Sequence, residues 1–189
     1  LFRSGARRRL RATAALDGLR LGVGYRVRLH FDDATWARHA VAVCAPAWRL
    51  GRWTLRLTGV FGLPSTIGRP GVTWLEITEV EVDAEAGWRF LQRPRFGLEI
   101  GAGAGALYSR AEAFLPRGEV GRADHLAGQV LVAFGAIWHP VEGLDVRLRA
   151  ALARVLGGAG FGVNGRGDFG AAPWQPSAGL DITVALFGE

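Results

Sequence analysis

A two-residue rhythm governs most of this chain. It is clearest from Leu19 to Phe31. Leu19, Leu21, Val23, Tyr25, Val27, Leu29 and Phe31 fall on one face, and Arg20, Gly22, Gly24, Arg26, Arg28 and His30 on the other. A period of two marks a β-strand with one apolar and one polar side. The run is also long enough for a tilted strand to cross a bilayer, which takes roughly 9–11 residues.

Seven more runs of this kind follow, at about 37–47, 52–62, 72–91, 96–110, 125–138, 144–155 and 177–187. In the second, Val41, Val43, Ala45 and Ala47 share the apolar face. In the fourth, Val80, Val82, Ala84, Ala86, Trp88 and Phe90 alternate with Glu79, Glu81, Asp83, Glu85, Gly87 and Arg89. Its first half breaks phase near Leu75 and Ile77, which reads as a bulge or as a hairpin arm standing above a membrane. The connections near 48–51, 92–95 and 139–143 are short. Those near 63–71, 111–124 and 156–176 are long, and the one at 32–36 is modest. Short turns on one side and longer loops on the other fit an antiparallel barrel in a membrane.

Eight strands put both chain ends on the short-turn side. Residues 1–18 form a basic N-terminal segment ending at the turn signal Asp17-Gly18, and 19–189 form the barrel. A ninth run, Leu10, Ala12, Ala14 and Leu16 against Arg9, Arg11 and Thr13, keeps ten strands open. Segment 1–18 therefore reads as a periplasmic linker or an extra strand. The N-terminus reads as a processed or trimmed end, so an export signal is not legible.

Composition narrows the class further. No window approaches the ~18 apolar residues of a membrane helix. One cysteine, Cys44, allows no intrachain disulfide and no metal cluster. The net charge is +6 and the pI near 11.0, but the arginines alternate with apolar residues and form no patch, which argues against nucleic acid. Lysine is absent, and arginine suits crowded ionic sites because it pairs with carboxylates in a planar fork.

Alternation alone does not say which face points inward. Three observations turn the apolar face outward. Aromatic residues gather at strand ends: Trp48, Trp53, Trp88 and Trp138 beside short turns, and Phe31, Trp36, Phe61, Trp74 and Trp174 near long loops, like two interfacial girdles. The polar face carries charges of nearly balanced sign. Arg20, Arg26, Arg28, Arg52, Arg56, Arg89, Arg147 and Arg149 are placed to meet Glu79, Glu81, Asp83, Glu85, Glu99, Asp145 and Asp181. Glycine is also frequent on that face, and an eight-stranded barrel is only just wide enough for side chains. With a membrane present the register is forced, since each arginine at mid-bilayer costs roughly 2–4 kcal/mol.

On these grounds the chain resembles the small eight-stranded outer-membrane β-barrels of Gram-negative bacteria, the OmpA/OmpX type. The resemblance covers about 19–187 and is architectural. It rests on the alternation, the girdles, the loop asymmetry and the last strand, Gly179 to Phe187. It implies an all-β, closed, up-and-down transmembrane barrel with a filled polar lumen, located in the outer membrane. It further implies lipid and lipopolysaccharide as surroundings and the barrel-assembly machinery as a partner. Phe187 departs from the family pattern, because Gly188 and Glu189 follow it and it shares a face with Asp181.

Signals for chemistry are sparse, and neither a cofactor nor a metal site is expected. His125 opens the sixth run beside Asp124, and Ser109 ends the fifth on the same polar face. They are the candidate catalytic pair of a lipid-modifying barrel enzyme. A hydrogen-bonded rim histidine is the simpler reading. Asp32-Asp33, Arg166-Gly167-Asp168 and the Gly101–Gly105 run are explained by loops and strand packing, and Gly51-Arg52-Trp53 echoes a lipocalin signature outside its usual place. Three functions stay open. The leading one is a membrane anchor, envelope structural protein or loop-display scaffold without a wide pore, with a periplasmic or envelope protein partner conceivable. The others are the lipid-modifying enzyme and a soluble carrier of apolar ligands.

Overall fold

The computed structural model describes residues 17–30, 36–69, 72–114, 120–157, 160–163, 166–170 and 173–186. Eleven strands follow in chain order: β1 Asp17–His30, β2 Trp36–Leu50, β3 Trp53–Gly62, β4 Ser65–Arg69, β5 Val72–Gln92, β6 Phe96–Phe114, β7 Val120–Val141, β8 Leu144–Leu156, β9 Gly160–Val163, β10 Arg166–Gly170 and β11 Trp174–Ala185. Eight of them close a barrel. β1, β2 and β3 pair in sequence, β3 joins β5, β5 to β8 run on as a meander, and β11 lies between β8 and β1. The seam between β3 and β5 runs from Trp53↔Trp88 to Phe61↔Val80, so none of the eight is left as a free edge over this span. The short strand β4 continues the wall above β3 by pairing with the upper part of β5. β9 and β10 form a separate hairpin within the longest connection.

The turns are tighter than the sequence implies, since β2 continues to Leu50 and β7 to Val141. Gly51 (φ 62°) and Gly143 (φ 77°) occupy the left-handed region in these turns. Glycine reaches that region without the penalty a Cβ brings. At this same end β1 starts at Asp17, which pairs with Arg49, so Asp17-Gly18 is strand rather than turn. The ninth run at 9–16, Phe31, Asp32-Asp33 and Phe187 lie outside the described residues.

Two departures have clear causes. In β2 the phase flips. Val43 pairs with Gly59 on the outer face and Cys44 with Thr58 on the inner one, but Ala47 then pairs with Arg56 and so faces inward. The register shift falls at Ala45-Pro46, where proline has no N–H to give the ladder and a bulge absorbs it. In β5 the pairing with β6 runs unbroken past Leu75 and Ile77, and its register shift lies at the other end, between Arg89 and Leu91. Leu75 and Ile77 share the buried inner face with Glu79, Glu81, Asp83 and Glu85.

What changes along β5, β6 and β7 is polarity rather than phase. These strands are 21, 19 and 22 residues long. From Phe96 to Tyr108 the outward residues of β6 are apolar, and the same holds from Leu126 to Trp138 on β7, directly opposite in register. That stretch is ~40 Å along the strand at ~3.3 Å per residue. At a barrel tilt near 40° it is ~30 Å tall, the thickness of a hydrocarbon core. Above it the outward residues become Thr78, Arg110, Glu112, Arg122 and Asp124, while the inward ones become Leu75, Ile77, Ala111 and Ala113. Polar outside and apolar inside is the arrangement of a protein in water. The 111–124 segment, polar in composition, is therefore largely strand, and its outer charges pair: Arg110 with Asp124 at 2.9 Å and Arg122 with Glu112 at 3.1 Å. Arg110, with the Tyr108 hydroxyl, holds the Asp124 carboxyl below its ordinary range.

Candidate functional site

The inner face of β5 is a ladder of acids, each answered from a different strand. Glu79 pairs with Arg38 of β2 and accepts a 2.9 Å hydrogen bond from Ser109 of β6. Glu81 pairs with Arg28 of β1, which also donates to Gln175 of β11 at 3.0 Å. Asp83 accepts from Gln129 of β7 at 2.6 Å. Glu85 accepts from Arg147 at 2.8 Å and Arg149 at 2.9 Å, both reaching across the lumen from β8. Beside it Glu99 of β6, 0 % exposed, takes both terminal nitrogens of Arg56 (2.6 and 2.9 Å), Arg147 at 2.9 Å and the Thr54 hydroxyl at 2.7 Å. Arg56 and Arg147 against Glu85 and Glu99 thus form a clamp joining four strands through the centre. Between the loop-side and turn-side halves, Asp181 pairs with Arg26 at 2.9 Å. Asp145 is held by Arg20 and by His139, each at 2.5 Å.

Small residues make this packing feasible. Gly24 faces Asp181, Gly179 faces Arg26, Gly103 faces Glu85 and Gly105 faces Asp83, each on the adjoining strand. A Cβ at Gly103 would lie 2.5 Å from the Ala84 carbonyl oxygen, a backbone atom with little freedom to yield. Strand propensity alone favours Gly103→Ala by about 0.5–1 kcal/mol. Overpacking costs about 1–3 kcal/mol. The expected result is a net loss of stability, read as a lower urea midpoint for folding into lipid vesicles.

The structure places the candidate ionic residues Arg20, Arg26, Arg28, Arg56, Arg147, Arg149, Glu79, Glu81, Asp83, Glu85, Glu99, Asp145 and Asp181 on the inner face. Arg52 is a correction. It is exposed in the two-residue turn after β2, because the strand runs on to Leu50 and leaves it no place on the ladder. Arg89, read on this face from the sequence, is buried there, and Arg38 is a further member. Arg38 was legible from its phase, since it alternates with the outward Val41 and Val43. The lumen is also not uniformly polar: β7 presents Ala127, Leu131, Ala133 and Ile137 inward, with Leu131 and Ala133 packed against Ala153 of β8.

Ser109 and His125 are register partners. The Ser109 hydroxyl donates to Glu79 and is 1 % exposed, which is not the setting of a nucleophile open to substrate. Trp53, Trp88, Trp138 and Trp174 are exposed on the outer face, and Trp48 is partly exposed. The side chains of Trp36 and Trp74 lie outside the described residues. Among the described residues no group of His, Cys, Asp or Glu is arranged to hold a metal ion. Among the described residues the lumen holds a void of ≈ 20 Å³ on the loop side and one of ≈ 30 Å³ on the turn side. Each has room for a water or two, and the clamp residues Arg56, Glu85 and Arg147 line one or the other.

No protein-family model and no curated protein sequence matches the chain. Solved structures do. Neisserial surface protein A is similar with a TM-score of 0.63 at 9% identity, covering 89% of this chain and 97% of that one. Ail, the attachment invasion locus protein of Yersinia pestis, is similar with a TM-score of 0.55 at 10% identity, covering 89% and 97%. Identity this low speaks for the fold alone, and the fold is that of the small eight-stranded outer-membrane β-barrels.

Proposed function

We propose that the protein is an integral outer-membrane barrel with a sealed lumen, serving as an anchor and structural element that holds a short, water-exposed wall and its loops above the membrane. One observation carries this reading. The wall of β5 to β7 is apolar outside for a bilayer's thickness, over a lumen that β5 lines with charges, and above that belt it is polar outside and apolar inside. A soluble carrier of apolar ligands would need an apolar cavity at its centre; here arginines and carboxylates occupy that place. Lipid and lipopolysaccharide are the expected surroundings of the outer face, with the barrel-assembly machinery as the route of insertion. The region at 1–16 is the natural place to look for a periplasmic partner.

Two measurements test the proposal together. The folded chain in mild detergent is expected to migrate differently on a gel before and after boiling. In planar bilayers it is expected to give no stable conductance steps, because eight strands leave a lumen that side chains fill. Steady steps of porin size would overturn the sealed lumen, and a chain that stays folded and soluble without detergent would overturn the membrane reading.

A further inference from the structure

The two lumen chambers differ in how their charges are matched. On the loop side Arg26, Arg28, Arg38 and Arg149 each have a carboxylate partner: Asp181, Glu81, Glu79 and Glu85. On the turn side five arginines line the chamber, Arg20, Arg49, Arg56, Arg89 and Arg147, against Asp145 and Asp181. Glu99 is engaged by Arg56, Arg147 and Thr54, Asp145 by Arg20 and His139, and Asp181 by Arg26. Arg89 is left over. It is 3 % exposed, its nearest carboxylates are Glu99 at 3.6 Å and Asp145 at 3.9 Å, and its Nε and Nη1 have no hydrogen-bond partner among the described residues. Arg49 Nε and Arg147 Nε, from the same lining, are likewise unpartnered, as are Arg26 Nε and Nη1 and Arg38 Nε on the loop side, but Arg26 and Arg38 each hold a carboxylate in direct contact, and Arg89 does not.

A buried cation whose two nearest carboxylates stand 3.6 and 3.9 Å away, each already engaged by closer partners, is costly. Arginine does not relieve that cost by losing its proton. Water would satisfy the N–H groups but not the charge. We propose that the turn-side chamber binds one small inorganic anion of chloride size, held by Arg89 with Arg49 and Arg147. The ≈ 30 Å³ of space admits an ion of that size. The loop-side chamber, with its charges paired, takes none.

The test uses the full chain refolded in detergent. Its unfolding midpoint is followed in sodium chloride and in sodium gluconate at equal ionic strength, gluconate being too large to enter. A ligand at 100 times its dissociation constant stabilises enough to raise the midpoint of a chain this size by about 5–10 °C. The expected result is a saturable rise of that order in chloride. In Arg89→Gln the chloride-specific rise disappears while the midpoint in gluconate is held or raised, because the unmatched charge has gone. General salt effects act on both chains alike and drop out of the comparison. Crystals of the unaltered protein soaked in bromide are expected to show anomalous density beside Arg89, which decides the matter even if the variant does not fold. Equal midpoints in the two salts, a variant that is weaker in gluconate, or bromide density confined to the loop-side chamber would each overturn the proposal.

Discussion

Glu99→Gln is expected to destabilise the barrel by about 3–5 kcal/mol, the usual consequence of leaving buried partner charges uncompensated. Glutamine nearly preserves the shape of the side chain, so volume is held while charge is removed. Glu99 has no exposure and accepts from Arg56, Arg147 and Thr54 at 2.6–2.9 Å. Without its charge, Arg56 leans on Glu85 alone and Arg147 on Glu85 with the more distant Asp181 at 3.8 Å, and Glu85 already serves Arg149. The loss is a large share of a domain's typical 5–15 kcal/mol. Glu112→Gln provides the contrast. Its partner Arg122 stands in solvent above the belt, and an exposed pair contributes about 0–1 kcal/mol. Adding Arg147→Met to Glu99→Gln is expected to recover part of the loss, since an apolar side chain tolerates the site better than an orphaned cation. Urea titrations of folding into vesicles measure all three, and equal effects of Glu99→Gln and Glu112→Gln would refute the central clamp.

Much of this architecture is readable without coordinates because a membrane barrel writes its inside and outside at every second residue. The alternation of Leu21 to Leu29 and of Val80 to Phe90 sets strand, face and register together. The paired acids and arginines are visible as well, being charges that hydrocarbon will not accept. What escapes falls into two kinds. Arg52 depends on where a strand ends, and a proline bulge at Ala45-Pro46 shifts Ala47 to the opposite face without altering the local composition. Leu75, Ile77 and the 111–124 segment escape for a subtler reason. Their strand conformation is continuous, but the solvent outside changes from lipid to water, so the outward side turns polar, and on β5 the side facing the centre changes from ionic to apolar. A pattern scored against one solvent reads that boundary as the end of a strand. The specific partner of each acid is not legible at all, because Glu85 meets Arg147 and Arg149 across the lumen and no local rule relates β5 to β8.

Val132→Arg turns that boundary into a measurement. Val132 is 57 % exposed on the outer face of β7, midway between Leu126 and Trp138, and it pairs with Ala102 and Leu152. In a bilayer an arginine there is expected to cost about 2–4 kcal/mol, falling to about 0–1 kcal/mol near the interface. Leu126→Arg is therefore expected to cost less than Val132→Arg. Thr78→Arg, on an outward position above the belt where Arg110 already stands, is expected to change almost nothing. The three costs trace the depth of the hydrocarbon against the sequence. For a barrel in water the same substitutions on exposed positions would all fall within about ±0.5 kcal/mol. Folding titrations in vesicles distinguish the two profiles, and a flat one would remove the membrane from the account of this fold, since the clamp and the paired lumen would then have no reason to lie beneath a shell of exposed valine, leucine and phenylalanine.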